Sequence, residues 1–220
     1  ILFLDASFIG LAESIAGSLP SIERYVVLTD QTHLPQTTLR NAIAYESWLA
    51  EVDGDFAWPS FDENTAVSLT YTSGTTGQPK GALYSHRSIL LMALVANSPD
   101  MYGFGANDVV LQLVPMCHAN AWTWPYTAPM AGASMIFPGA RLDGASIADL
   151  LITEHVTCTG GVPTVWQGVL DHLAANKQVL SDLKRVYIGG SPCSRSLMEA
   201  FAAHPQVQVR HAYGMTEMGP

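Results

Sequence analysis

Charge is the scarcest thing in this chain. Only 13% of its residues are Asp, Glu, Lys or Arg, about half the roughly 25% of an ordinary domain. With 48% of residues hydrophobic, much of the chain is expected to be buried, as in a sheet covered on both faces. Lysines and arginines form no cluster and the formal charge is −9, which argues against a nucleic-acid-binding face. Long apolar runs are missing too. The longest, Ile89 to Ala96, has eight residues, well short of the ~20 that a transmembrane helix needs. The three cysteines, Cys117, Cys158 and Cys193, make no Cys-x-x-Cys pair, and the neighbours Cys117-His118 are not a zinc spacing. They fit a reducing, cytoplasmic setting better than a disulfide framework. There is no initiator Met and no signal peptide. The chain starts on Ile1 in a strand-like run and stops at Gly219-Pro220, so it reads as the middle of a longer protein.

Present instead is a regular alternation of strand and helix patterns. Strands are expected at Ile1–Leu4, Tyr25–Thr29, Ala66–Tyr71, Val109–Val114, Ser134–Phe137, Val156–Thr159, Val186–Ile188 and Val207–Arg210. Helices are expected at Ile9–Ser18, Ser85–Asn97 with Ser85 as N-cap, Ser146–His155, Thr164–Asn176 and Ser196–His204. Ala119–Met130 is Trp- and Pro-rich and partly helical, and Gln31–Asn64 is a polar connector with a short helix near Tyr45–Ala50. This order predicts parallel βαβ units, hence an α/β fold with parallel-rich sheets flanked by helices, two sheets rather than one. In such sheets ligands gather beyond the carboxyl ends of the strands. Five clusters sit there: the stretch after Tyr71, Val114–His118, Thr159–Thr164, Gly189-Gly190-Ser191 and Ala212–Glu217.

The first of these is the densest. Between Ser73 and Gly81 three glycines alternate with hydroxyl side chains and a single lysine, Lys80. Glycine lets backbone N–H groups turn toward an anion, hydroxyls add donors, and the lysine adds a full charge, so phosphate is the expected guest. The spacing is not the Walker pattern, because Lys80 comes three residues after Gly77 and is followed by Gly81. Nor is it Gly-x-Gly-x-x-Gly.

Thr72-Ser73-Gly74-Thr75-Thr76-Gly77-x-Pro79-Lys80-Gly81 resembles without a break the phosphate loop of the acyl-adenylate-forming superfamily, which holds acyl- and aryl-CoA ligases, luciferase and peptide-synthetase adenylation domains. Tyr213-Gly214-Met215-Thr216-Glu217 resembles its Tyr-Gly-x-Thr-Glu motif. The resemblance implies Tyr213 against adenine, Thr216 at the α-phosphate and Glu217 holding Mg²⁺; a flat ring suits a purine and a hard cation wants carboxylate oxygen. Gly189-Gly190-Ser191 resembles the family turn where nucleotide and acyl group approach the backbone, with Pro192 a departure. A hydrolase elbow, Gly-x-Ser-x-Gly, fails because Cys193 takes the last place. Pro115-Met116-Cys117-His118-Ala119-Asn120-Ala121-Trp122 resembles the fatty-acyl-CoA ligase version of its motif, with His118 at the substrate and Trp122 lining or gating an acyl tunnel. Trp124 is expected in the core. Amino-acid-activating relatives carry an Asp near His118, and none stands here, which favours a simple carboxylate. Gly160, Gly161 and Val162 resemble the acyl-pocket segment of the same subgroup.

The resemblance is closest to medium- to long-chain fatty-acyl-CoA synthetases and covers under half of one. It implies that residues 1–220 are part of the large N-terminal domain: 1–64 the end of a preceding part plus connector, 65–220 the ATP- and acyl-binding region, with the C-terminal domain absent. The implied chemistry converts a fatty acid, ATP and coenzyme A to acyl-adenylate and then acyl-CoA. Thr72, Ser73, Gly74, Thr75, Thr76, Gly77 and Lys80 would hold the β- and γ-phosphates. Lys80, His118, Thr216 and Glu217 would serve the reaction, and Gly189, Gly190, Ser191, Tyr213 and Gly214 would complete the nucleotide site. A homodimer is compatible with the sequence. An aryl-CoA ligase or luciferase-like enzyme, or a non-catalytic piece keeping only the fold, are the alternatives; the piece by itself is expected to have little ligase activity.

Overall fold

The computed structural model describes residues 1–72 and 77–218, so Ser73, Gly74, Thr75 and Thr76 lie outside the described residues. The chain divides into two compact units, Ile1–Ser60 and Phe61 onward. In the first unit a parallel three-stranded sheet runs β1 (Leu2–Leu4), β2 (Tyr25–Val27), β3 (Ala42–Ala44). Helix α1 (Ile9–Ile15) packs Ile9 and Ala12 on Leu4, Tyr25 and Val27. Helix α2 (Tyr45–Leu49) stands where the short helix of the connector is expected, whereas strand β3 falls in the part of that stretch read from sequence as irregular. Three small or branched residues, Ala42-Ile43-Ala44, carry too short a pattern to be read without the partner strand.

The second unit holds the site. Its strand β4 (Ala66–Thr72) pairs antiparallel with β5 (Lys80–Ser85), Thr72 opposite Lys80 and Thr70 opposite Ala82. The expectation of a strand, a phosphate loop and then directly a helix is therefore corrected: Lys80 and Gly81 start a second strand, antiparallel to the first. Glycine and a terminal serine in Lys80–Ser85 hide a strand whose alternation, Lys80/Ala82/Tyr84 against Gly81/Leu83, becomes plain only once paired. Helix α3 (His86–Ala96) follows, capped as expected by Ser85, whose hydroxyl accepts from the Ser88 N–H while the Ser88 hydroxyl accepts from the Ser85 N–H.

Then comes an all-parallel sheet of β6 (Val109–Gln112), β7 (Ser134–Ile136), β8 (Cys158–Gly161), β9 (Arg185–Ile188) and β10 (Gln208–His211), in spatial order β10-β9-β8-β6-β7. Period-two alternation divides its side chains. Leu111, Val186 and Ile188 enter the core built with α6 (Gly144–Thr153), α7 (Pro163–Asn176) and α8 (Arg195–Ala200), around the fully buried Trp166. Val110, Cys158 and Tyr187 enter a second core with Phe104, Trp124 and Ala128, the last two from α5 (Trp124–Met130). Trp124 is a core residue, as expected. At the far, amino end of the strands, Asp108 and Arg185 pair at 2.7 Å, with Thr157 Oγ1 donating to the same carboxylate at 2.7 Å.

Read along the chain, the strand order means that β6 leads one way to β7 and then back across to β8. The switch in direction lies between β6 and β8, where ligand crevices form at the carboxyl ends. Gln112 of β6 stands opposite Gly160 of β8. The strand β8 runs through both glycines, so Gly160 and Gly161 lie within it and not beyond its end, a second correction.

Candidate active site

Parallel register brings four of the five clusters to one edge. Gly161 pairs with Ile188, and Ile188 with His211, so the segments beginning at Val162, Gly189 and Ala212 leave neighbouring strands side by side, with the Leu113–His118 segment leaving β6 next to them. The fifth cluster, on the hairpin, arrives by another route. The buried Tyr84 hydroxyl donates to the backbone carbonyl of Thr216 at 2.5 Å. That bond joins the strand that begins at Lys80 to the Thr216–Glu217 turn, 132 residues on. Between them lies a cavity of about 390 Å³ lined by Ala82, Leu83, Tyr84, Ser88, Met92, Glu217 and Met218. Burial pushes the Tyr84 phenol above its ordinary value, and the Glu217 carboxylate adds to the shift, so the hydroxyl stays a donor. Lys80 is exposed at the start of β5, opposite the last residue of β4. Because Lys80, Ala82 and Tyr84 alternate with Gly81 and Leu83, the lysine shares the face that meets Thr216. Thr72, opposite Lys80, is half-buried on that face.

After β6 the chain makes a turn that only its polar ties explain. The single helical turn α4 (Ala119–Trp122) is left-handed: φ is +43° at Asn120, +53° at Ala121, +60° at Trp122 and +69° at Thr123. Each non-glycine residue held so costs ~1–2 kcal/mol. The turn is held from several sides. Ser68 and Thr70 hydroxyls donate to Asn120 Oδ1 at 3.2 and 3.3 Å, Tyr102 donates to the Trp122 carbonyl at 3.0 Å, and Thr127 Oγ1 donates to the Thr123 carbonyl at 2.9 Å. Burial pushes the Tyr102 phenol up to about 12, which keeps its proton in place. His118 caps this turn and is exposed, its N–H donating to the Pro115 carbonyl.

The turn lays Trp122 over Gly189. A Cβ there would meet the indole at 3.0 Å and the Ala212 carbonyl at 3.0 Å. A Cβ on Gly190, at φ +78°, would stand 3.1 Å from Val162, whereas one on Gly161 would make only ordinary van der Waals contact with Trp166 and Leu113. The room beside Gly160 is filled by Trp124, 2.9 Å from a Cβ. So Trp122, Gly189, Gly190 and Val162 come together, while Gly160 faces the core ring. Ser191 is exposed beside them. Tyr213 is 86% exposed, its ring open to a flat partner; Gly214 has no heavy atom within 4 Å of a Cβ. Thr216 is buried and Glu217 exposed. Among the described residues no group of three or more His, Cys, Asp or Glu gathers.

Three residues that join these pieces had no role in the sequence reading: Thr70, Tyr84 and Asn120. For the first two the signal was parity. Thr70 and Tyr84 sit in step with Thr72 and Lys80 on two strands of one hairpin, which becomes legible only once Lys80–Ser85 is recognised as a strand.

A parallel sheet with its loops at one carboxyl edge, and a lysine-bearing hairpin tied to them, is the arrangement of a nucleotide-handling α/β enzyme. A family model described as AMP-binding enzyme matches residues 6–220, and the chain belongs to that family. Over its whole length it is 43% identical to a medium-chain-fatty-acid–CoA ligase of Ectopseudomonas oleovorans, covering 40% of that protein. It is 43% identical to a 3-methylmercaptopropionyl-CoA ligase of Ruegeria lacuscaerulensis, covering 41%, and 41% identical to a long-chain-fatty-acid–CoA ligase of Thermus thermophilus, covering 39%. The chain thus spans about two fifths of these relatives' length. Among solved structures it matches an anthranilate CoA ligase in complex with anthranoyl-AMP, with a TM-score of 0.81 at 24% identity over 98% of this chain and 41% of that one. It also matches a luciferase-like enzyme from the mealworm Zophobas morio, at 0.79 and 20% over 97% and 48%; these likenesses carry the fold.

Proposed function

We propose that the chain is the nucleotide- and acyl-binding part of an AMP-forming fatty acid–CoA ligase that works in the cytoplasm. The observation that carries this reading is the Tyr84–Thr216 bond, which brings the lysine-bearing hairpin and the Thr216–Glu217 turn to one cavity. Relatives above 40% identity named for medium- and long-chain fatty acids support the substrate class.

In this reading a carboxylate oxygen attacks the α-phosphorus of ATP and the bond to pyrophosphate breaks; the thiol of coenzyme A then attacks the acyl carbon, losing its proton as AMP leaves. Carboxylates resist nucleophiles at neutral pH, and adenylation supplies the leaving group. The protein's part in the first step is alignment and charge neutralisation. Lys80 and the donors of residues 72–77 hold the β- and γ-phosphates, Thr216 meets the α-phosphate, and Tyr213 stacks on the purine. His118 and the Trp122–Gly189–Gly190–Val162 group receive the carboxylate and its chain. The exposed Glu217 carboxylate suits Mg²⁺, which takes one or two carboxylates together with phosphate oxygens and water; bound there, the ion neutralises phosphate charge.

The test is ATP–pyrophosphate exchange by the full-length protein with a series of carboxylates. Exchange stimulated by C8 to C16 fatty acids is the expected result. Stimulation by benzoates alone favours an aryl ligase, and no stimulation by any carboxylate overturns the adenylation reading.

A further inference from the structure

We infer that Thr70 is a positioning residue that sets the acyl-side turn against the nucleotide-side elements, an inference that rests on the adenylation reading above. Thr70 is 6% exposed, in the middle of β4. Its hydroxyl donates to Asn120 Oδ1 at 3.3 Å, with Ser68 as a second donor at 3.2 Å. Across the hairpin Thr70 pairs with Ala82 and Ser68 with Tyr84, and the Tyr84 hydroxyl donates to the Thr216 carbonyl. Thr70 therefore ties the turn that carries His118 and Trp122 to a strand paired with the one that begins at Lys80, and the latter strand's Tyr84 is tied in turn to the segment that carries Thr216 and Glu217. These are the segments that must bring a carboxylate in line with an α-phosphorus.

Physical reasoning says where this shows. Thr70 is buried and offers no surface to a substrate, so binding of ATP or of carboxylate needs little from it. Alignment of the two reactants does depend on it, because Asn120 sits in a strained left-handed turn whose hold loosens when one of its two donors is removed. Misplacement by ~1 Å costs on the order of 100-fold in rate, and a loss confined to alignment lowers kcat with KM nearly unchanged.

Thr70→Val keeps the shape and the strand preference and removes only the hydroxyl. In the full-length protein, fatty-acid-stimulated exchange by Thr70→Val should fall ~10- to 100-fold in kcat. KM for either substrate, and the ATP affinity read by calorimetry, should stay within about threefold, where less than 1 kcal/mol is at stake. Thr70→Ser, which restores the hydroxyl, should recover most of the rate. Combined with Asn120→Gly, which fits the left-handed turn without a side chain to tie, Thr70→Val should add little further loss. An unchanged kcat in Thr70→Val, multiplicative losses in the double variant, or a loss that Thr70→Ser fails to rescue each overturns the inference. Wild-type protein that exchanges with no carboxylate overturns the adenylation reading first; wild-type exchange with an unaffected Thr70→Val overturns this inference alone.

Discussion

The Trp122 indole lies where a side chain at Gly189 would begin: a Cβ there would stand 3.0 Å from the ring and 3.0 Å from the Ala212 carbonyl oxygen. The backbone carbonyl cannot swing away, so the ring must yield. Gly189→Ala is expected to cost about 1–3 kcal/mol, the range for overpacking a filled site, and to shift tryptophan fluorescence. Trp122→Phe in the same chain relieves the ring contact but not the carbonyl one. The paired variant should therefore recover part of the loss in thermal denaturation, and full recovery would show that the carbonyl contact is soft.

The contact between α6 and α7 is asymmetric. A Cβ on Gly144 would come within 2.2 Å of the Gly168 carbonyl oxygen, whereas one on Gly168 would meet Gly144 at an ordinary 3.7 Å. Gly144→Ala should push two helices apart and destabilise by about 3 kcal/mol, the upper end for overpacking. Gly168→Ala should be nearly neutral, helped by alanine's helix propensity, about 1 kcal/mol above glycine's. Denaturant midpoints of the two variants check the order.

At the opposite end of the sheet, Asp108 gives a defined acid response. Burial alone would raise its carboxyl, but hydrogen bonds from Thr157 Oγ1 and the Gly105 N–H, together with the Arg185 guanidinium, outweigh burial and hold it below the ordinary 3.8. The folded value is depressed, so this contribution is full above about pH 4 and is lost as pH falls through the lowered value. Asp108→Asn, which strands a largely buried Arg185, should cost about 3 kcal/mol at neutral pH, the low end for breaking a buried pair. The variant's melting temperature should fall less than the wild type's between pH 5 and pH 2. Equal acid sensitivity of the two proteins would place the titrating group elsewhere.

For the nucleotide side, Lys80→Ala in the full-length protein is expected to raise KM for ATP ~10-fold or more, the scale of one charge-assisted phosphate contact of about 1.5–3 kcal/mol. Lys80→Arg should recover part of the loss. Glu217→Gln should lower kcat and raise the Mg²⁺ concentration needed for half-maximal exchange. A Mg²⁺ requirement left where it was would remove Glu217 from the metal's coordination.

How much of this the sequence disclosed depends on the range of the forces involved. Strands such as Val186–Ile188 and the Ser85 cap are local matters of period and of one side chain's reach, and they were legible. So was the gathering of loops at one sheet edge, since parallel order enforces it. Strand β5 was hidden, because Lys80–Ser85 earns its strand conformation from pairing with Thr70 and Thr72. The extent of β8 was hidden because two glycines look like a strand end until Trp124 is seen to fill the space beside Gly160. The left-handed path of Asn120 to Thr123 was hidden for a similar reason. Nothing in Asn-Ala-Trp-Thr prefers it; bonds from Ser68, Thr70 and Tyr102, distant in sequence, hold it there.

Among the described residues the β4–β5 hairpin shares no backbone ladder with the five-stranded sheet; side chains such as Ser68, Thr70 and Tyr84 tie it there. A ladder would dictate its placement residue by residue, whereas hydroxyl tethers let the whole ribbon be re-aimed by changing a few atoms. The hairpin's placement is thus adjustable without breaking any backbone bond of the main sheet.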